Sequence, residues 1–147
     1  MLTRNGHKLV VAESCTGGAI AAALTSLPGS SVWFERGFVA YSNEAKKDML
    51  GVTEESGVQH GSVSGPVVKE MLCGALENSA ASIALAVTGV AGPGGGTAEK
   101  PVGTVWLAWS FRNAQPHTRK LWFEGDRARI REQSIDAALG GLCSMFD

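Results

Sequence analysis

Leu9-Val10-Val11-Ala12-Glu13-Ser14-Cys15-Thr16-Gly17-Gly18-Ala19-Ile20-Ala21-Ala22-Ala23-Leu24 is the stretch that decides the fold. Its first part, Lys8 to Ala12, is a short apolar run that reads as a buried strand. A polar turn and two glycines follow, and an alanine-rich stretch running to about Leu27 has the character of a helix. Pro28-Gly29 stops it. A buried strand, a tight turn and a helix form the first half of a βαβ unit, and strands without polar alternation belong to parallel sheets covered on both faces.

Outward from this unit, Gly37 to Tyr41 is rich in β-formers and predicts a second strand. Ser42-Asn43 caps a short helix to about Leu50 with Gly51 at its end, and Thr53 caps a further short turn through Ser56. Ser64 to Asn78 is the clearest amphipathic helix, with Pro66 in its first turn and Val67, Val68, Met71, Leu72, Ala75 and Leu76 on one face. Ser82 to Val87 predicts a central parallel strand that runs into Thr88-Gly89-Val90-Ala91-Gly92-Pro93-Gly94-Gly95-Gly96. Gly103 to Phe111 and His117 to Phe123 predict a hairpin. Gly125-Asp126 opens a last helix with Ile130, Ala137, Ala138, Leu142 and Met145 facing inward. The order βαβααβββα implies a three-layer α/β/α sandwich with a mixed, mostly parallel sheet of about five strands, one hairpin strand running antiparallel.

A length of 147 residues fits one domain spanning 1–147. Hydrophobic residues make up 44% and charged residues 18%, a balance that supports a buried core and argues against disorder. Thirteen Lys plus Arg against fourteen Asp plus Glu give a net charge of -1, so no global positive field gathers nucleic acid or an anionic membrane. Apolar runs are far shorter than the roughly 20 residues of a membrane span, and no signal peptide is read at the start. These features predict a cytoplasmic protein without nucleic-acid or membrane partners. Cys15, Cys73 and Cys143 are odd in number and widely spaced, which predicts reduced thiols. No His, Cys or carboxylate cluster has metal-ligand spacing, so no metal is expected.

In open α/β sheets, ligands bind beyond the carboxyl ends of the strands. Three polar turns fall there: Glu13 to Gly18, Tyr41 to Lys46 and Thr88 to Gly96. Ser14 sits beside backbone N–H donors, an arrangement suited to a serine nucleophile with an oxyanion hole, or simply to a helix cap. None of the three histidines falls at a predicted carboxyl-end turn. Lys46 lies one helical turn past the second strand; a desolvated lysine serves as base toward serine, with Tyr41 orienting the proton, whereas an exposed one is only a solvated face. Gly92-Pro93-Gly94-Gly95-Gly96 offers a run of side-chain-free backbone donors that can cradle an anion or merely connect two strands. It matches neither a Walker loop nor a dinucleotide fingerprint. Arg127, Arg129 and Arg131 add local positive charge that can reach a phosphate, with a solvated face expected for at least one of the three.

Taken together, Ala12-Glu13-Ser14-Cys15-Thr16-Gly17-Gly18, Tyr41-Ser42-Asn43-Glu44-Ala45-Lys46, Thr88-Gly89-Val90-Ala91-Gly92-Pro93-Gly94-Gly95 and Lys100-Pro101-Val102-Gly103-Thr104-Val105 resemble the CinA C-terminal domain family over nearly the whole chain. The resemblance implies a nicotinamide-nucleotide amidase that converts nicotinamide mononucleotide (NMN) to nicotinic acid mononucleotide and ammonia in pyridine nucleotide recycling. It implies Ser14 as nucleophile with Lys46 and Tyr41 as partners. The resemblance also implies that the Thr88 to Gly95 loop helps hold the nucleotide with Arg127 assisting, and that no organic cofactor is needed. The individual substrate contacts expected are Thr16, Gly17, Gly18, Thr88, Gly89, Gly92, Gly94, Gly95 and Arg127, and a homo-oligomer is expected. Against the fuller family pattern, the customary helix before the first strand is largely missing and the N-terminal nucleotide-processing domain is absent, for which a stand-alone amidase is the simpler expectation. Two competing expectations remain: a non-catalytic nucleotide-binding module in a competence or damage-response setting, and a Ser-Lys hydrolase acting on another amide.

Overall fold

The computed structural model describes residues 1–147. Its strands are β1 (Leu9–Glu13), β2 (Phe34–Val39), β3 (Ile83–Gly89), β4 (Thr104–Phe111) and β5 (His117–Trp122), in the sheet order β2-β1-β3-β4-β5. β1 pairs in parallel with β2 and β3, while β4 runs antiparallel to both β3 and β5, so β4 alone is reversed. The helices are α1 (Ala19–Thr25), α2 (Asn43–Leu50), α3 (Glu54–His60), α4 (Gly65–Glu77) and α5 (Arg127–Ser144). This is the expected α/β/α sandwich with a mixed, mostly parallel five-stranded sheet. No helix is long and apolar enough to cross a membrane.

Pleating sorts each apolar strand between two cores, because successive side chains point to opposite faces. Leu9, Val11, Ile83, Leu85, Val87, Val105 and Leu107 pack on one face with Ile20 and Leu24 of α1 and Ile130, Ala138 and Leu142 of α5. Val10, Ala12, Ala84, Ala86 and Ala108 meet Val67, Val68, Met71, Leu72 and Ala75 of α4 on the other. Burying a residue the size of Leu85 contributes about 1.5–3 kcal/mol, which is why these two-sided apolar runs hold the sheet centre.

The α4 face of the central strands is mostly alanine, so α4 lies close to the sheet and to the end of α2. A Cβ built on Gly74 would stand 1.8 Å from the Leu50 carbonyl oxygen, a contact with backbone that cannot move aside cheaply. Gly74→Ala is therefore expected to cost about 3 kcal/mol or more, at the upper end of overpacking effects. Urea unfolding checks this; a loss below about 1 kcal/mol overturns it.

The edges depart from expectation in definable ways. β2 occupies Phe34–Val39 rather than 37–41, because its parallel ladder with β1 runs from Leu9 opposite Phe34 to Glu13 opposite Val39. Glu35 and Arg36 do not look like strand residues, yet an edge strand lets both reach solvent and pair with each other at 2.8 Å. α1 ends at Thr25, and the turn expected after Thr53 is a full seven-residue helix, Thr53 accepting the Ser56 N–H as its cap. The caps Ser42, Ser64 and Asp126 stand as read, each side chain accepting the N–H three residues on.

Candidate active site

Three chain segments meet beyond the carboxyl ends of β1, β2 and β3. The Ser14 N–H donates to the Val87 carbonyl at 3.1 Å and the Ala40 N–H to the Glu13 carbonyl at 2.9 Å, so the ladders continue just past the strands and hold all three ends level. α2 then turns back from Ser42, whose hydroxyl caps it, and its first turn aims Lys46 inward. Lys46 Nζ lies 3.0 Å from Ser14 Oγ and 3.0 Å from the Tyr41 carbonyl oxygen. Residues 32 positions apart in sequence thus become hydrogen-bond partners.

Lys46 is only 3% exposed and forms no salt bridge. Burial penalises its ammonium and pushes its pKa below the ordinary lysine value, the charge of a Cys15 thiolate acting weakly in the other direction. A neutral Lys46 donates one N–H to Tyr41 O and turns its lone pair to the Ser14 hydroxyl, the arrangement a general base needs. The Tyr41 ring is exposed, and its hydroxyl accepts from Arg127 Nη2 at 2.8 Å rather than bonding to Ser14 or Lys46. In this structure it is the main-chain carbonyl of Tyr41 that meets the Ser–Lys pair.

The pair lies in a cleft of about 440 Å³ whose walls include Ser14, Tyr41, Lys46, Thr88, Gly89, Gly92, Gly94, Gly95 and Arg127. Thr88 is buried, and its hydroxyl donates to Ser62 O at 2.8 Å, fastening the end of β3 to the segment that follows α3. The N–H groups of Ala91, Gly92, Gly94 and Gly95, four residues that line the cleft, donate to no protein acceptor. Gly92 is required there: its φ is +80°, and a Cβ would stand 2.5 Å from Val102 Cγ1. Arg127 crosses the mouth, its Nη1 donating to Gly92 O at 2.8 Å.

Thr16, Gly17 and Gly18 are placed behind the cleft, not on its wall. The Thr16 hydroxyl turns inward to Glu13 Oε1 at 2.6 Å, and Gly17 and Gly18 make the turn at φ +59° and +98°. Two residues hold this turn in roles that the sequence did not announce. The Glu13 carboxylate, 1% exposed, accepts from the Thr16 hydroxyl and from the Ile20 and Ala21 N–H groups. Arg131 donates to the Cys15 and Thr16 carbonyls, whereas Arg129 pairs with Glu132 on the exposed face of α5. Ser62 and Val63 also line the cleft, and no sequence signal in their loop announces it.

Cys15 follows the nucleophile candidate and is 5% exposed. Burial is the main cause that pushes its thiol up to about 11, outweighing the bond to its own N–H and the nearby Lys46 and Arg131 charges. Cys143 is exposed and Cys73 half-buried, so iodoacetamide at pH 8 is expected to label Cys143 first and leave Cys15 unmodified until the protein unfolds. Peptide mass mapping of the native protein checks this, and early labelling of Cys15 would count against a closed nucleophile turn.

A model of the CinA C-terminal domain family matches residues 1–146. The chain is 51% identical over 145 residues to the nicotinamide-nucleotide amidohydrolase PncC of Escherichia coli (strain K12), covering 99% of this chain and 88% of that protein. It is 50% identical over 144 residues to the protein of the same name from Pseudomonas putida, covering 98% and 89%. Among solved structures, the competence/damage inducible protein CihA from Agrobacterium tumefaciens superposes with a TM-score of 0.96 at 46% identity, over 99% of this chain and 89% of that one.

Proposed function

The chain belongs to the CinA C-terminal domain family, and from that membership and the geometry of the cleft we propose that it hydrolyses the carboxamide of NMN to nicotinic acid mononucleotide and ammonia through a Ser14 acyl-enzyme. The observation that carries the chemistry is the buried Lys46 amine 3.0 Å from the Ser14 hydroxyl. The near-complete match to amidohydrolases of nicotinamide nucleotides supports the substrate.

Neutral Lys46 takes the Ser14 proton as Oγ attacks the carboxamide carbon, and the carbonyl π electrons move onto oxygen. The N–H of Cys15, which donates to no oxygen of the protein and lies in a residue that lines the cleft, is a donor for that oxyanion, worth about 3 kcal/mol in such sites. Collapse of the tetrahedral intermediate breaks the C–N bond. The Lys46 ammonium returns its proton to the departing nitrogen, which leaves as ammonia. Water then attacks the nicotinoyl ester with Lys46 again as base, releasing the acid and restoring the Ser14 hydroxyl. Tyr41 serves through its carbonyl, which orients the Lys46 amine, and its phenol joins Arg127 at the cleft mouth.

The pyridinium of NMN withdraws electrons from its carboxamide and disfavours a protonated Lys46 nearby, so the substrate itself assists both nucleophilic attack and the base. The free donors of Ala91, Gly92, Gly94 and Gly95 and the guanidinium of Arg127 suit the 5′-phosphate. No metal or organic cofactor enters these steps. A purely nucleotide-binding module would need the glycine loop but not a lysine buried against a serine. We place the protein in the cytoplasm, consistent with its three free thiols, and expect a homo-oligomer, which sedimentation checks. Ammonia release measured with NMN, nicotinamide riboside and nicotinamide tests the assignment: NMN is expected to be preferred by at least 100-fold in kcat/KM. Equal turnover of nicotinamide would move the reading to a general Ser-Lys amidase.

A further inference from the structure

Arg131 projects from the second turn of α5 toward the back of the nucleophile turn and does not line the cleft. Its Nε donates to Cys15 O at 3.1 Å and its Nη2 to Thr16 O at 3.0 Å, so one edge of a planar guanidinium grips two consecutive main-chain carbonyls. It also packs on Gly17, where a Cβ would already stand 3.4 Å from Nη2. The peptide unit is planar and trans, so the N–H of Thr16 points opposite to the Cys15 carbonyl that Arg131 holds. The Gly17 N–H, on the other gripped peptide, closes the turn onto Ser14 O at 3.0 Å. The N–H groups of Cys15, Thr16 and Gly18 donate to no oxygen of the protein, and of these three residues only Cys15 lines the cleft. Buried backbone donors are nearly always paired, and an open donor directly after a nucleophile, on the cleft wall, is what an oxyanion hole requires.

We propose that Arg131 is a positioning residue for the oxyanion hole: by fixing the Cys15 and Thr16 carbonyls from α5, it holds the Gly17 N–H on Ser14 O, and so the trans Ser14–Cys15 peptide whose N–H meets the developing oxyanion. This rests on the reading of Ser14 as nucleophile. The role differs from that of Arg127, which lines the cleft itself and bridges Gly92 O and the Tyr41 hydroxyl at its mouth. It also explains why a charged group is used: bonds from a cation to carbonyl oxygen are about twice as strong as neutral ones, and the fork spans two acceptors that a lysine ammonium cannot grip together.

The test compares wild type, Arg131→Lys and Arg131→Met, each checked for folding by circular dichroism. Readouts are kcat and KM for NMN, inhibition by pyridine-3-boronic acid, and binding of nicotinic acid mononucleotide. The boronate forms a tetrahedral serine adduct that uses the hole; the product, with its planar carboxylate, does not depend on it. Both variants are expected to lose about tenfold to 100-fold in kcat. The inhibition constant of the boronate should rise by the same factor, with KM and product affinity within about threefold of wild type. Arg131→Lys keeps the charge and the stem, so it carries the test if Arg131→Met does not fold. A kcat for Arg131→Lys within threefold of wild type overturns the proposal. So does a parallel loss of product binding, which would mean that the site has collapsed. If the boronate fails to inhibit wild type and Ser14→Ala still turns over, the nucleophile reading itself has failed, and this proposal falls with it.

Discussion

Ser14→Ala is expected to lower ammonia release from NMN by about 10³-fold or more while leaving the protein folded and able to bind substrate. The size follows from the division of labour at the site. Without Oγ no acyl-enzyme forms, and what remains is the oxyanion hole and the bound geometry acting on water. In serine hydrolases, that residue of catalysis is still about 10³–10⁴ above the uncatalysed rate. Ser14 makes few structural bonds: its hydroxyl meets Lys46 Nζ at 3.0 Å and Tyr41 O only at 3.5 Å, and its N–H bond to Val87 survives the substitution. A thermal midpoint close to wild type and an unchanged affinity for NMN, read by calorimetry, separate lost chemistry from lost structure. Retention of more than a tenth of the activity would assign the nucleophile elsewhere.

Lys46→Met should be nearly as damaging to turnover, and it carries a pH signature that Ser14→Ala lacks. The methionine fills the space of the lysine stem but has no lone pair to take the serine proton, so a loss of about 10³-fold in kcat is expected. In wild type, kcat/KM should rise with pH along a limb of unit slope, because only neutral Lys46 is active. Its midpoint lies below the ordinary lysine pKa of about 10.4, since burial lowers the folded value. Stability follows the same linkage. Between the lowered folded pKa and the ordinary unfolded one, the unfolded chain binds more protons, so wild-type stability rises with pH in that window. Below the folded pKa the full cost of a buried ammonium is present. Lys46→Met removes this slope and, having no charge to bury, should be at least as stable as wild type near neutrality. Urea titrations at several pH values check this. A variant that keeps the wild-type pH slope would show that another group titrates.

Much of this was legible in the residues. The two-sided apolar runs at Leu9 to Ala12 and Ser82 to Val87 announced central parallel strands because sheet period and burial leave a direct imprint on sequence. Ser42, Ser64 and Asp126 marked helix starts because capping is a contact between neighbours along the chain. The edges were less legible: β2 begins three residues early because its register is set by β1 and not by its own composition. Glu13 read as one more polar turn residue, although its carboxylate is buried and gathers three donors from the turn and α1. Arg131 shared its sequence signature with Arg127 and Arg129, yet α5 turns the three toward the nucleophile turn, the cleft mouth and solvent respectively. Nothing local distinguishes them.

The sequence by itself determined the layered fold, the caps and the three turns that carry the chemistry, since each is written in periodicity or in contacts between near neighbours. Only the tertiary structure decided that Lys46 is buried against Ser14, that Tyr41 meets the pair through its carbonyl, and that Arg131 holds the turn from behind. These are relations between residues far apart in the chain, set by ladder register and helix docking, and the pKa of a lysine depends on what surrounds it in space, not on what precedes it in sequence.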